Sequence, residues 1–472
     1  MRLAVLAASR HTIRPMILRA YRFHLLFGAV AALLVGGIAL GFWGRGPWAW
    51  TIGLAYIAYD SWLLLFMVRE SRRALYEQSE RVISSDVSRL TVVICARNER
   101  TVLPACLAAL HAQTAAVDEV IVVDDGSTDG SVAWLRETYA LDVDSRSAHR
   151  PGFRLLARSH EGKARALNAG WRLASGDLVV TLDADTVLDP GAIAAVRQAF
   201  ALDRSLAAAC GVLTPACRPG RWARAFEFYQ TFEYLRGFLW RLAWMRRDML
   251  LLISGAFAAY RKETLEALGG FHPESLVEDY DFIYRLHRHS GDHELGWKTA
   301  VIAGARAVTD VPSVIPTFLH QRTRWFAGYL ETLFRNRDMV GSARYGRVGR
   351  LMLPLKVVDS LLPIYALLAA ALLVFFLVMG KHFDRVILIV IAAKFAFDLV
   401  FHCIAIVLYQ RWQGIPLTNR LWARSLLATL TEPFCFQLLR HAGAALGWVA
   451  FLRGRIHWAP QRQPSPFPET TT

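Results

Sequence analysis

The stretch SGDLVVTLDADTVLDP, Ser175 to Pro190, decides how this chain is read. Leu178 to Leu182 is an apolar, β-branched run of strand length, and it delivers Asp183 and Asp185 to its carboxyl end with only Ala184 between them. Two carboxylates converging on one point repel each other unless a cation lies between them. Hard oxygen ligands suit Mg2+ or Mn2+, and such an ion keeps positions free for the phosphates of a substrate. Acidic turns after strands are common and mostly just solvated, so the metal reading depends on the company the stretch keeps.

Upstream, Leu90 to Ala96 (LTVVICA) and Glu119 to Val123 (EVIVV) read as buried strands, with a helical stretch, Val102 to Gln113, between them. That is a βαβ unit. Leu155 to Arg158 reads as another strand and Lys163 to Ala174 as another helix, so the region is α/β with a largely parallel sheet. Open sheets of this kind bind ligands at the carboxyl edge of their strands. Three polar loops fall there: Arg97–Asn98–Glu99, Asp124 to Asp129, and Asp183–Ala184–Asp185.

The side chains in and around these loops fit a nucleotide-sugar chemistry. Asp124 and Asp125 open a turn shaped by Gly126 and Ser127, where a carboxylate can accept from the imide N–H of a uracil ring. Lys163, in Glu161–Gly–Lys–Ala–Arg–Ala–Leu–Asn168, stands near a helix start, where a cation and backbone N–H groups favour an anion. Ser254 to Tyr260 (SGAFAAY) can form a close-packed wall. Val277–Glu278–Asp279–Tyr280–Asp281 is an acidic cluster at a loop-to-helix boundary, where such residues often only cap the helix. An inverting sugar transfer needs one base near the acceptor hydroxyl, and Asp279 is the candidate. Gln321–Arg–Thr–Arg324–Trp325 combines an amide, a cation and an aromatic face, suited to a leaving diphosphate and a sugar ring; it also fits an amphipathic interface helix.

Composition sets this region in a membrane context. The chain has 472 residues, 54% of them hydrophobic, and a mean hydropathy of +0.29, too apolar for an ordinary soluble protein. The net charge is +15, but only six of the 54 basic residues are Lys and the arginines are scattered, which excludes a basic nucleic-acid-binding block. Cys95, Cys106, Cys210, Cys217, Cys403 and Cys435 show no CxxC pair and no metal-ligand spacing with His, and read as reduced thiols. Residues 1–22 carry five arginines and no acid. Phe23 to Phe42 and Trp48 to Val68 then read as a transmembrane hairpin joined by Gly44–Pro47, with the amino terminus in the cytoplasm. Leu361 to Met379 and Val386 to Tyr409 are two further spans. Lys394, Asp398 and His402 share one helix face, suited to pinning neighbouring helices against Asp60 or to lining a polar passage. The aromatic, arginine-rich stretch Trp222 to Met245 suits a membrane-interface helix or a core helix equally. Ser425 to Leu452, interrupted by Glu432, Pro433, Arg440 and His441, reads as an in-plane or re-entrant segment.

In order, VDDGSTD, GKARALN, DAD, the Glu278–Asp279 pair and QRTRW resemble the motifs of membrane-embedded glycosyltransferase family 2, the group of cellulose, hyaluronan, chitin-oligosaccharide and poly-N-acetylglucosamine synthases. The resemblance covers roughly residues 88–340. It implies a GT-A (Rossmann-like) domain inserted between N- and C-terminal transmembrane helices, at the bacterial inner membrane with the catalytic domain in the cytoplasm. Its domains would be a basic terminus (1–22), a two-helix hairpin (23–68), the GT-A domain (88–340), two further spans (355–410), an interfacial, re-entrant or fifth membrane helix (421–455) and a disordered tail (460–472). It further implies a UDP-sugar donor, with Asp124 and Asp125 at the nucleoside and Asp183 and Asp185 at diphosphate and Mg2+ or Mn2+. Lys163 would bind substrate, Glu278 and Asp279 would form the catalytic pair with Asp279 as base, and Gln321, Arg324 and Trp325 would meet acceptor and product diphosphate. The expected partners are a growing polysaccharide or lipid acceptor, membrane lipids and accessory export proteins, with no nucleic acid. Two departures stand out: Val-Glu-Asp where many processive members have Thr-Glu-Asp, and no cyclic-dinucleotide-binding PilZ-like domain after the last spans. The expected activity is polymer elongation from UDP-glucose or UDP-N-acetylglucosamine; the rivals are single-sugar transfer to a lipid and an inactive subunit of an assembly system.

Overall fold

The computed structural model describes residues 2–43, 48, 50–78, 88–141, 152–380, 385–416 and 418–454. The link Gly44–Pro47 and the tail 460–472 lie outside them. Two long apolar helices come first, α1 (Arg2–Trp43) and α2 (Thr51–Gln78). The α/β region follows as β1 (Leu90–Ala96), α3 (Leu103–His111), β2 (Glu119–Asp125), α4 (Ser131–Tyr139), β3 (Phe153–Arg158), α5 (Lys163–Leu173), β4 (Leu178–Asp183), β5 (Thr186–Leu188), α6 (Ala192–Leu202), β6 (Leu206–Cys217), α7 (Ala223–Met245), β7 (Phe257–Arg261), α8 (Lys262–Leu268), α9 (Glu278–Asp292), β8 (Lys298–Val311) and α10 (Ile315–Arg335). Then come α11 (Leu353–Met379), α12 (Arg385–Gln413), α13 (Asn419–Thr431) and α14 (Phe436–Arg453).

The eight strands form one sheet in the order β3-β2-β1-β4-β7-β6-β8-β5. β1, β2 and β4 read as continuous apolar runs because they pair in parallel and are covered on both faces, which leaves no solvent side for alternation. The chain lays β1, β2 and β3 outward in one direction and then returns to put β4 on the other side of β1. The strand order therefore reverses between β1 and β4, and Asp183 lies opposite Cys95 at that point.

Among the described residues, four helices are long and apolar enough to cross a membrane, at Ala20–Trp43, Thr51–Tyr76, Val348–Met379 and Leu388–Gln413. The C-terminal stretch is a helix pair bent by 46° at Cys435, two residues after Pro433, either a broken span or a re-entrant loop. Its second half backs α10. A Cβ on Gly443 would come within 2.6 Å of the Arg322 Cβ, and one on Gly447 within 2.8 Å of the Phe326 Cβ, so glycines four residues apart let the two helices close.

α7 joins the two halves of the molecule. Phe238, Leu239 and Leu242 are buried, Trp244 stacks on Phe66 of α2 with ring centroids 4.6 Å apart, and Arg246 and Arg247 both donate to Glu70 of α2. One face of this helix is therefore core, and its C-terminal end packs on α2.

Candidate active site

At the reversal point, two loops are stitched together by their own polar groups. Asn98 takes a left-handed backbone (φ 58°), which asparagine tolerates. Its N–H donates to Ser127 Oγ at 2.9 Å, its Oδ1 accepts from the Thr128 N–H at 2.7 Å, and the Arg100 N–H donates to Asp129 Oδ2 at 2.9 Å. Asp124 Oδ2 closes the turn by accepting from the N–H groups of Gly126 and Ser127. The other oxygen, Oδ1, is buried with no hydrogen-bond partner, and Asp124 stays off the cavity wall described below. Asp125 is fully engaged: Oδ1 accepts from the Glu161 N–H at 2.8 Å, while Oδ2 accepts from the Gly162 N–H at 3.1 Å and from His160 Nδ1 at 2.7 Å. It fixes the loop that leads into α5.

That loop places Lys163 as the first residue of α5, with Nζ 2.7 Å from Asp183 Oδ1 and 3.1 Å from Glu278 Oε1. Burial would lower the lysine pKa, but the two carboxylates outweigh it and hold the ammonium well above its ordinary range. For Glu278 burial pushes the pKa up, and Lys163 and Arg324 together bring it below the usual value. At Asp185 the opposing pull of Lys163 is too weak to prevail. Burial, then Asp183 and Asp310, push it up to about 7, and burial with Asp185 pushes Glu99 up to about 8. Asp310 is itself paired with Arg218, both nearly fully buried.

Asp279 sits in the first turn of α9. Its Oδ2 accepts from the Gly255 N–H at 2.8 Å and its Oδ1 from the Tyr280 N–H at 2.8 Å. These donors favour the carboxylate, but burial and the neighbouring Glu278 prevail and raise it to about 6. On α10, Gln321, Arg324 and Trp325 share one face. Arg324 Nη1 donates to the Leu276 carbonyl at 3.0 Å, tying this helix to the loop before Glu278.

A cavity of about 950 Å³ brings these groups together. Asp125, Lys163, Asp183, Asp185, Glu278, Asp279, Gln321, Arg324 and Trp325 all line it; of the residues given a substrate, metal or catalytic role by the resemblance, Asp124 alone does not. The same cavity continues among the apolar helices, where Asp60, Lys356, Asp359, Asp398, His402, Glu432, Gln437 and Arg440 line it. Lys394 Nζ is 2.7 Å from Asp60 Oδ2 and also pairs with Asp398, so the charged face of α12 both pins α2 and borders the cavity.

Sequence reading left three contributors without a role. Arg218 with Asp310, and the network in which Glu233 takes a two-pronged contact from Arg322 (2.8 Å each) with Arg440 3.6 Å away, carry no local signal, because partners 89 or more residues apart meet only through the fold. Glu99 carried one: it lies in a polar loop straight after a buried strand.

For a divalent metal, Asp183 and Asp185 supply two hard oxygen donors, and the raised Asp185 marks a surplus of negative charge that a cation would relieve. Among the described residues no three His, Cys, Asp or Glu side chains are gathered closely enough to hold a metal alone. The pair fits an ion that takes its remaining ligands from phosphate and water.

Residues 91–269 match the description "Glycosyl transferase family 2". Residues 91–269 thus carry a family 2 glycosyltransferase domain, and the fold is a GT-A-like sheet between flanking apolar helices. It is similar to poly-beta-1,6-N-acetyl-D-glucosamine synthases of Staphylococcus epidermidis (26% identical over 294 residues, 61% of this chain and 63% of that protein) and Staphylococcus aureus (24% over 324 residues, 68% and 71%). The match thus spans less than two thirds of the S. epidermidis protein. In fold it is similar to a mannosyltransferase of Pyrobaculum calidifontis solved with GDP-Man and Mn2+, with a TM-score of 0.54 at 20% identity over 82% of this chain and 99% of that one.

Proposed function

We propose that this glycosyltransferase elongates a polysaccharide from a UDP-hexose with inversion at the anomeric carbon, and passes the product into its own membrane helices. The observation that carries the reading is the single cavity that joins the acidic groups at the end of β4 and the start of α9 to polar side chains on α2, α11, α12 and α14. A polymer leaving the site along that path meets hydrogen-bonding groups at a depth where an apolar helix bundle would offer none. Similarity to poly-β-1,6-N-acetylglucosamine synthases favours UDP-N-acetylglucosamine over UDP-glucose as the donor.

In the proposed reaction the acceptor hydroxyl gives its proton to Asp279. Its oxygen forms the new bond to C1 of the donor sugar on the face opposite the diphosphate, and the C1–O bond breaks with its electron pair leaving on the diphosphate. A base at about 6 is ionised at neutral pH and close enough in pKa to take a proton as the bond forms. Lys163 and Arg324 would meet diphosphate charge, and the Trp325 ring would offer an apolar face to a sugar. Asp183 and Asp185 would hold Mg2+ or Mn2+, which when bound neutralises diphosphate charge. Asp124 and Asp125 support the nucleoside end.

The test is incubation of the purified full chain with UDP-N-acetylglucosamine, UDP-glucose and UDP-glucuronate, following UDP release and product size. UDP release with a high-molecular-weight product from one neutral sugar is expected. A single-sugar lipid product would replace polymer elongation with lipid transfer, and no UDP release from any donor would end the reading.

A further inference from the structure

The contacts of Asp125 leave it little capacity for a ligand. Each of its oxygens already accepts from the loop before α5, and its side chain is 7% exposed. One of those donors reaches further. His160 Nδ1 lies 2.7 Å from Asp125 Oδ2, while His160 Nε2 lies 2.9 Å from Arg97 Nη1. A guanidinium nitrogen can only donate, so Nε2 must be the acceptor. The ring proton then sits on Nδ1, where it donates to the carboxylate, and both contacts are satisfied by one neutral tautomer. The carboxylate also makes Nε2 a better acceptor by polarising the ring.

Arg97 is the end of this chain, and it lines the cavity. Among the described residues it has no carboxylate partner, and its Nε is buried without a hydrogen-bond partner. It starts the loop after β1, beside the turn that Asp124 closes, and is a cation fixed in place by a neutral ring with donors unspent.

We propose that Arg97, held by the relay Asp125–His160, binds the pyrimidine base of the donor through its carbonyl oxygens, and that Asp125 serves the nucleoside at second hand as a positioning residue. This rests on the UDP-sugar reading above. Base carbonyls are neutral acceptors that a guanidinium plane can meet edge-on, and locking the plane beforehand removes the cost of ordering a long side chain on binding.

The experiment is UDP binding by calorimetry on the full chain, with His160→Asn, His160→Gln, Arg97→Ala and the Arg97→Ala/His160→Asn double variant. The Asn amide can still donate to Asp125 and keep the loop, but has nothing at the Nε2 position for Arg97. A Gln amide oxygen can reach that position. The expected result is a roughly tenfold weaker UDP affinity for His160→Asn and for Arg97→Ala, a double variant no weaker than the weaker single, and partial recovery in His160→Gln. Unchanged affinity in Arg97→Ala, or losses that add in the double variant, would overturn the relay. Failure of the wild-type chain to bind UDP at all would instead fault the donor reading. Arg97→Ala leaves the Asp125–His160 contact in place, so it decides the matter even if the His160 variants fold poorly.

Discussion

The backbone N–H of Gly255 donates to Asp279 Oδ2 at 2.8 Å, and a Cβ on Gly255 would lie 3.0 Å from that same oxygen. A loop glycine thus sets the position of the proposed base. Gly255→Ala should push the carboxylate aside, lowering kcat by about 10- to 100-fold while leaving the KM for the donor near wild type. Steady-state UDP release checks this; a matching rise in KM would mean that the loop shapes the donor pocket instead.

The raised Asp279 predicts the acid side of the pH profile. The ionised form is the active one, so turnover should fall about tenfold per pH unit below about 6 and level off above it. Asp279→Asn should remove that dependence along with about 10²- to 10⁴-fold of the rate, with UDP affinity nearly intact. Initial rates between pH 5 and 8 for both proteins give the comparison.

Removal of divalent metal with a chelator should abolish turnover, and added Mg2+ or Mn2+ should restore it. Asp185→Ala should weaken metal-dependent UDP binding by about tenfold or more while UDP binding without metal changes little. Titration calorimetry with and without metal separates the two; equal affinity in the variant would remove Asp185 from the metal site.

Arg218 and Asp310 form a buried ion pair. Arg218→Leu strands a buried carboxylate and should cost about 3–5 kcal/mol of stability, whereas Arg218→Met combined with Asp310→Leu should recover most of it. Thermal unfolding of the detergent-solubilised chain reads both. Equal destabilisation in the double variant would point to packing, not charge, as what the pair supplies.

Local pattern was enough for the strands that flank the site. Leu90–Ala96 and Leu178–Leu182 are buried on both faces, so their apolar runs are visible in one dimension, and Asp183 and Asp185 stand out because carboxylates straight after such a run are costly without a partner. β6 and β8 were not legible in the same way. They pair with a register shift near Cys210, and β6 (LAAACGVLTPAC) is rich in Ala and Gly rather than β-branched residues, so its local strand signal is weak.

By itself, then, the amino-acid sequence determined the four long apolar helices, the α/β unit between them and the side chains gathered at its carboxyl edge, since length, hydropathy and the strand period act over neighbouring residues. Tertiary structure alone decided the rest: that Lys163 bridges Asp183 and Glu278, residues more than 90 apart in the chain, that Asp125 spends its oxygens on the loop before α5, and that the cavity continues from Asp279 to Asp60. Those are relations between distant segments. They depend on which strand pairs with which, on how closely glycines let helices approach and on where burial outweighs a neighbouring charge, none of which a local pattern contains.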